Sequence, residues 1–183
     1  MVTSDFKPQP ASAAGPAVDA ATHAAIVQWM YLEAELLDDR REREWLETMV
    51  SPDVVYQVPL RSTVERARGF GFSATTFHMD ESYGSLMARV RRNESGFAWA
   101  EDPPSRARHF VSNIRVGRHD DHTLNVRSNL LLFRTRQEQT TPQFMSGERH
   151  DQLRLVGGQW MLTKRIVRLD LTAIASHNLA IFF

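Results

Sequence analysis

The chain has 183 residues, 22 basic against 22 acidic side chains, and no cysteine. This length suits one domain that buries roughly 70% of its unfolded surface. The zero formal net charge argues against nucleic acid or an anionic membrane as the main partner. Without cysteine, disulfides, thiolate nucleophiles and cysteine-ligated metal or iron–sulfur sites are excluded. No apolar run could cross a bilayer and no basic-then-apolar signal pattern opens the chain, so we expect a cytoplasmic protein.

The first 18 residues differ in composition from the rest of the chain. They are rich in Pro, Ala and Ser and show no hydrophobic period. We therefore predict a flexible N-terminal arm over 1–18, or a segment that wraps a neighbour, and a single domain over 19–183.

Two helices are predicted after this arm. Asp19 or Thr22 can cap the first helix. Its apolar side contains Ile26, Trp29, Met30, Leu36 and Leu37, and we expect Glu33, Glu35 and Asp38 to face away. A break near 38–40 precedes a short second helix with Trp45, Leu46 and Met49 on its apolar face.

A short strand and a long loop are expected next. Val54, Tyr56 and Val58 alternate as in a strand that Pro59 stops. Residues 60–78 show no period, which predicts an irregular contact loop. Asp80 is then expected to cap a third helix, because Tyr83, Leu86, Met87 and Val90 recur at helical spacing.

The segment from Glu101 to Asn113 divides the helical half from a strand half. Pro103 and Pro104 lack backbone N–H groups and restrict the residues before them, so no helix passes this point. Four strands are predicted beyond it, over 106–118, 123–137, 143–156 and 159–169. The turn 119–122 and the pair Gly157-Gly158 would connect them, since a type I′ hairpin turn requires positive φ twice. Helices followed by a curved antiparallel meander indicate an α+β fold with the helices in the concave face of the sheet.

Metal ligands are the first chemical candidates. His119, Asp120, Asp121 and His122 include the ligand types of a two-histidine, one-carboxylate iron site, but neighbours on a tight turn diverge. His78, Asp80 and Glu81 could also supply ligands, although acids are favoured beside a helix N-terminus in any case. We interpret both groups as ordinary polar segments.

A general acid–base site is the second candidate. Tyr31, His109 and one of Asp38 or Asp39 could abstract a proton beside a carbonyl if they met in the concave face of the sheet. Cone-shaped dehydratases and isomerases use such groups. The competing interpretation is a structural histidine and a solvated helix end.

Arginines crowd the strand half of the chain, while acids crowd 33–47. The arginines indicate either a solvated sheet face or a polar subunit interface. The final residues Ile181, Phe182 and Phe183 are apolar, so we expect them to pack on their own core or on a neighbour.

Several separated segments resemble one known family. Asp102-Pro103-Pro104-Ser105-Arg106 followed by Arg108-His109-Phe110-Val111-Ser112-Asn113 is similar to a signature of the small (beta) subunit of bacterial aromatic-ring-hydroxylating dioxygenases, of the biphenyl dioxygenase type. Segments in the same order also fit, namely 31–38, 79–89, Gly147-Glu148-Arg149 with Asp151, Lys164-Arg165, Asn178-Leu179 and Phe182-Phe183. The resemblance covers nearly everything after residue 22.

This resemblance implies a cystatin-like cone, with N-terminal helices on a long, strongly curved mixed sheet. It also implies a cytoplasmic hetero-hexamer of three large (alpha) and three small subunits, an oxidoreductase of aromatic hydrocarbon catabolism. The Rieske [2Fe–2S] cluster and the mononuclear Fe(II) would belong to the large subunit, with no cofactor, metal or catalytic residue in this chain. The complex would convert arenes to cis-dihydrodiols with O₂ and electrons from NADH.

Five residues are assigned from these considerations to subunit interfaces: Arg106, Arg108, His109, Phe182 and Phe183. With the loop 60–77, Arg106 and Arg108 are expected to contact the large subunit. The alternative hypothesis is a stand-alone lyase or isomerase using the His, Asp and Tyr groups above. A third, weaker one is a ligand-binding cone without chemistry.

Overall fold

The computed structural model describes residues 15–95, 103–174 and 178–183. The helices of this part are α1 (Ala20–Asp38), α2 (Glu42–Met49) and α3 (Tyr83–Glu94). Its strands are β1 (Val50–Arg61), β2 (Phe72–Glu81), β3 (Arg106–Arg118), β4 (Thr123–Thr135), β5 (Gln143–Val156) and β6 (Gln159–Leu169), with a short 3₁₀ turn at Arg66–Arg68. The predicted α+β class is confirmed.

The six strands form one mixed sheet in the order β2-β1-β6-β5-β4-β3. The β1–β6 pair is parallel and the other four pairs are antiparallel. The sheet is curled but not closed, as the curved, mainly antiparallel prediction requires. The core combines side chains from the three helices with the inward rows of the strands, among them Ile26, Trp45, Leu86, Leu130, Leu132 and Leu153.

The strand half follows the sequence prediction closely. β3, β5 and β6 have the predicted bounds, and β4 ends at Thr135, two residues early. Residues 119–122 form the turn between β3 and β4. Gly157 and Gly158 have φ of 57° and 86°, the two positive values that the hairpin turn needs.

The region after α2 corrects the prediction. Residues 60–78 are not one irregular loop, because β1 runs on to Arg61 and β2 begins at Phe72. Pro59 does not stop β1, since it lies where the β1–β2 register shifts and no regular ladder bond is needed. Ser82, not Asp80, caps α3, through a reciprocal pair of side-chain bonds with Ser85.

The residues just before α1 contact β3, which is an edge strand of the sheet. Asp19 caps α1 as predicted, accepting from the backbone N–H of Thr22 at 2.8 Å. Ala17 forms an isolated bridge with Gly117 of β3. Most of the predicted arm, and Glu101 and Asp102 of the signature, lie outside the described residues. No helix within the described ranges is long and apolar enough to span a membrane.

Candidate functional site

A buried ionic centre lies between α1 and the inner face of the sheet. Glu33 accepts from Arg165 Nη2 at 2.8 Å, from Arg149 Nη1 at 3.1 Å and from Trp45 Nε1 at 3.0 Å. Arg165 also holds Asp151 through two 2.8 Å bonds. All four charged side chains are buried. Glu33 was predicted to face away from the core, and that prediction is wrong.

Strand parity explains how these charges come together. Arg149 and Asp151 share the inward row of β5 with Met145 and Leu153. Arg165 shares the inward row of β6 with Val167 and Leu169. Glu33 follows Met30 by three residues on α1, which places it over these rows. Within the centre, two acids face two arginines, so its charges balance.

The pKa values follow from this balance. Burial alone would raise the pKa of Glu33, but Arg165 and Arg149 hold it below its ordinary value. Burial likewise opposes the charge of Arg165, but Asp151 and Glu33 raise its pKa well above the ordinary value. The pKa of Arg149 is lowered, first by burial and then by the charge of Arg165. Every member of the centre is thereby engaged in charged contacts within the chain.

The final residues are attached to the same centre. Arg165 Nη1 donates to the backbone oxygen of Phe183 at 2.8 Å, and the hydroxyl of Tyr56 donates to that oxygen at 3.0 Å. The backbone N–H of Phe183 donates in turn to the Tyr56 hydroxyl at 2.6 Å. The Phe182 ring packs on Trp45 with centroids 4.9 Å apart. Of the two outcomes left open, Phe182 and Phe183 pack on their own core.

His109 and Asp38 form the histidine–carboxylate pair that the acid–base hypothesis needs. His109 Nδ1 lies 2.6 Å from Asp38 Oδ1, which also accepts from the His109 backbone N–H at 2.9 Å. The other ring nitrogen, Nε2, lies 3.0 Å from the backbone oxygen of Phe182. Both ring nitrogens thus face oxygen atoms, one on Asp38 and one on the backbone of Phe182. The two hydrogen-bonding positions of the ring are therefore occupied by atoms of the chain itself.

The space around this pair is small. A cavity of about 40 Å³ touches His109, Asn93 and Ser105. It has room for water but is far below the roughly 300 Å³ of a ligand pocket. Asp39 is the exposed C-cap of α1, and Tyr31 is half exposed on the same helix. No described hydrogen bond joins Tyr31 or Asp39 to His109, so the predicted triad is not assembled.

The two groups considered as metal ligands make local hydrogen bonds. Asp120 accepts from the backbone N–H of His122 at 2.9 Å, and His119 Nδ1 lies 3.4 Å from the Asn125 amide. On β2, Asp80 accepts from Gln57 and Glu81 from Arg89. Among residues 15–95, 103–174 and 178–183, no three His, Asp or Glu side chains are grouped to hold a metal ion. The chain has no cysteine, so its residues do not fit a Rieske cluster, whose ligands are Cys and His.

The other predicted interface residues differ in exposure. Arg106 is exposed, and its guanidinium donates to Thr135 Oγ1 and the Gln137 carbonyl. The Arg108 side chain is 61% exposed and lies 3.3 Å from Asp38. In contrast, His109, Phe182 and Phe183 are buried within the chain. Their assignment to a subunit interface stays a prediction.

The helices packed on the curled six-stranded sheet define a cone-type α+β protein. A family model described as ring hydroxylating beta subunit matches residues 32–176, and the chain belongs to this family. It is the beta subunit of an aromatic-ring-hydroxylating dioxygenase, an oxidoreductase complex.

Solved structures agree with this assignment. A chain of naphthalene 1,2-dioxygenase with indole bound in the active site is 27% identical, with a TM-score of 0.79 over 91% of this chain and 88% of that chain. The benzoate 1,2-dioxygenase beta subunit from Burkholderia mallei is 21% identical, with a TM-score of 0.66 over 84% and 92%. ActVI-ORFA from Streptomyces coelicolor, at 16% identity, has a TM-score of 0.60 over 82% and 98% and shares the fold.

Proposed function

We propose that this chain is a non-catalytic subunit that supports a large oxygenase subunit. The large subunit carries the Rieske [2Fe–2S] cluster and the mononuclear Fe(II), and three copies of each subunit assemble in the cytoplasm. The complex adds both atoms of O₂ to an arene, giving a cis-dihydrodiol with electrons that originate from NADH. The relationship to a naphthalene dioxygenase chain supports an aromatic hydrocarbon as the substrate class.

The observation that carries the proposal is the engagement of the buried polar groups. Glu33, Asp151, Arg149 and Arg165 balance one another, and both ring nitrogens of His109 face acceptors. A catalytic acid or base must lie within hydrogen-bond distance of the substrate atom that gains or loses a proton. These groups instead form hydrogen bonds with each other. Their arrangement fits a rigid scaffold.

The alternative, a lyase or isomerase built on His109, retains one favourable observation, the 2.6 Å contact with Asp38. Cone-shaped relatives such as ActVI-ORFA have the same fold, but at 16% identity this likeness extends to the fold alone. The cavity beside His109 has about 40 Å³, so an arene does not fit there without rearrangement.

Co-expression with its large subunit tests the proposed function. That subunit is identified as a neighbouring reading frame with a Cys-His…Cys-His Rieske pattern. We expect the two chains to co-purify as a hexamer and to oxidise an arene only together. Turnover by the isolated chain, or a wild-type chain that never joins the large subunit, would refute the proposal.

A further inference from the structure

Four large apolar side chains form a contiguous patch on the outer face of the sheet. Phe110 on β3 pairs with Leu131 on β4, and Phe133 on β4 pairs with Phe144 on β5. Leu131 and Phe133 are two residues apart, so they share a face and join the two pairs. The rings of Phe133 and Phe144 meet edge to face at 5.5 Å. We call these four residues the outer patch.

The side chains of the outer patch are unusually exposed to solvent for large apolar residues. Phe110 is 54% exposed, Phe144 55% and Leu131 39% in the described part of the chain. These three side chains present on the order of 150–300 Å² of apolar surface, because a large aromatic side chain has about 150–250 Å² in total. A hollow of about 720 Å³ adjoins Phe144 and is lined also by Pro142, Leu171 and Ile174. Pro142, Leu171 and Ile174 thus extend the apolar surface on one side of the hollow, while residues 138–141 and 143 give it a polar side.

Arginines surround the outer patch. Arg106 and Arg108 lie on β3 beside it, and Arg108 is paired in register with Phe133. Beyond the other end of the patch, Arg115 on β3 lies directly opposite Arg127 on β4. Like charges in this position destabilise a sheet. Arg127 is bound by Glu148, but within the described residues no acid is paired with Arg115.

An aromatic centre with arginine at its rim is the composition of a protein–protein interface. The positive charge of the arginines also indicates which kind of partner fits this surface. Two copies joined face to face through this surface would bring their arginine rims together, at a cost in free energy. A surface with acids around an apolar centre would instead compensate Arg115. Arg106 and Arg108, which the sequence predicts to contact the large subunit, are continuous with the outer patch.

We infer that the outer patch and its arginine rim dock the large oxygenase subunit, through an apolar surface edged by Asp or Glu. This inference rests on the proposed function and identifies the surface that carries it out. Phe110 and Phe144 are its central contacts, and Arg115 forms an ion pair with the partner.

Charge-introducing variants test the inference in the complete two-subunit complex. Phe110→Glu and Phe144→Glu place a carboxylate in the centre, while Arg115→Glu reverses the rim. Val156→Glu is the matched control, since Val156 is 49% exposed at the far end of β5. We expect each patch variant to weaken binding to the tagged large subunit by roughly tenfold or more, and the control to bind as wild type does.

Three outcomes would overturn the inference. In the first, the patch variants bind the large subunit as tightly as wild type, which itself binds. In the second, mass measurement of the isolated chain shows that wild type self-associates and that Phe110→Glu abolishes this, so that a second copy occupies the patch. In the third, Phe110→Glu lowers the melting temperature of the isolated chain, so that its own residues cover the patch. Failure of wild type to bind would refute the proposed function instead.

Discussion

Arg165 Nη2 on β6 lies 2.8 Å from Glu33 Oε2 on α1, and both side chains are fully buried. This contact joins the first helix to the last strand across 132 positions of sequence. The same guanidinium holds Asp151 and the backbone of Phe183. One arginine therefore links the position of α1 on the sheet to the position of the final segment.

Replacing Glu33 with Gln should destabilise the protein strongly. The substitution leaves Arg149 and Arg165 with one carboxylate, and breaking a buried ion pair costs about 3–5 kcal/mol. Urea unfolding of the isolated chain measures the change. Glu35→Gln is the matched control, because Glu35 is exposed on the same helix, and it should change the free energy of unfolding by less than about 0.5 kcal/mol. Equal stability of the two variants would contradict the buried centre.

Acid should unfold the protein partly through Glu33. Its folded-state pKa lies below its ordinary value of 4.5, against the effect of burial, because Arg165 and Arg149 favour the carboxylate. The unfolded chain thus binds the proton more readily, and stability falls as the pH drops below about 4.5 through the folded-state value. We expect the free energy of unfolding of Glu33→Gln to vary less than that of wild type in this window. The explanation would be contradicted if the free energy of unfolding of the wild type stayed constant from pH 4.5 down to the pH at which Glu33→Gln unfolds.

Asp38 should act as a structural residue. Asp38→Asn weakens the contacts with the ring and backbone of His109. This should lower the free energy of unfolding by roughly 1.5–3 kcal/mol. Arene oxidation per assembled complex should stay as in wild type, with an unchanged pH profile. Asp39→Asn, at the adjacent exposed position, controls for charge. If Asp38→Asn abolished turnover while the complex remained assembled, the acid–base hypothesis would regain its support.

Gly147 should not tolerate a side chain. It pairs with Leu169 between β5 and β6, and a Cβ there would lie 2.5 Å from the Arg168 carbonyl oxygen. Gly147→Ala must push these strands apart, at about 1–3 kcal/mol. Gly84→Ala is the control, since its Cβ meets nothing closer than 3.9 Å and lies in a helix, where Ala is favoured. Thermal unfolding of the two variants should separate them clearly.

The strand half could be predicted from sequence because its turns carry strong local signals, such as Gly157-Gly158. β2 was missed because the small residues 73–76 and Gly71 hide its alternation. Ser82 was missed as a cap because its partner is Ser85 rather than the more usual Glu.

The site was harder to predict because charges were taken as surface markers. Arg149 and Asp151 alternate with Met145 and Leu153, so their parity on β5 did indicate an inward position. Glu33 lies on the stripe of Ile26, Met30 and Leu37, which also indicated burial. Glu33 on α1 and the arginines on β5 and β6 neutralise each other although they lie more than a hundred residues apart. No local sequence pattern contains this information.

The most direct measurement of the scaffold role combines native mass spectrometry, metal analysis and turnover on three samples: this chain, the large subunit, and both together. We predict that this chain alone holds no iron and oxidises no arene, and that the mixture forms a hexamer with iron and activity. Tightly bound metal or substrate turnover in this chain alone would contradict the account.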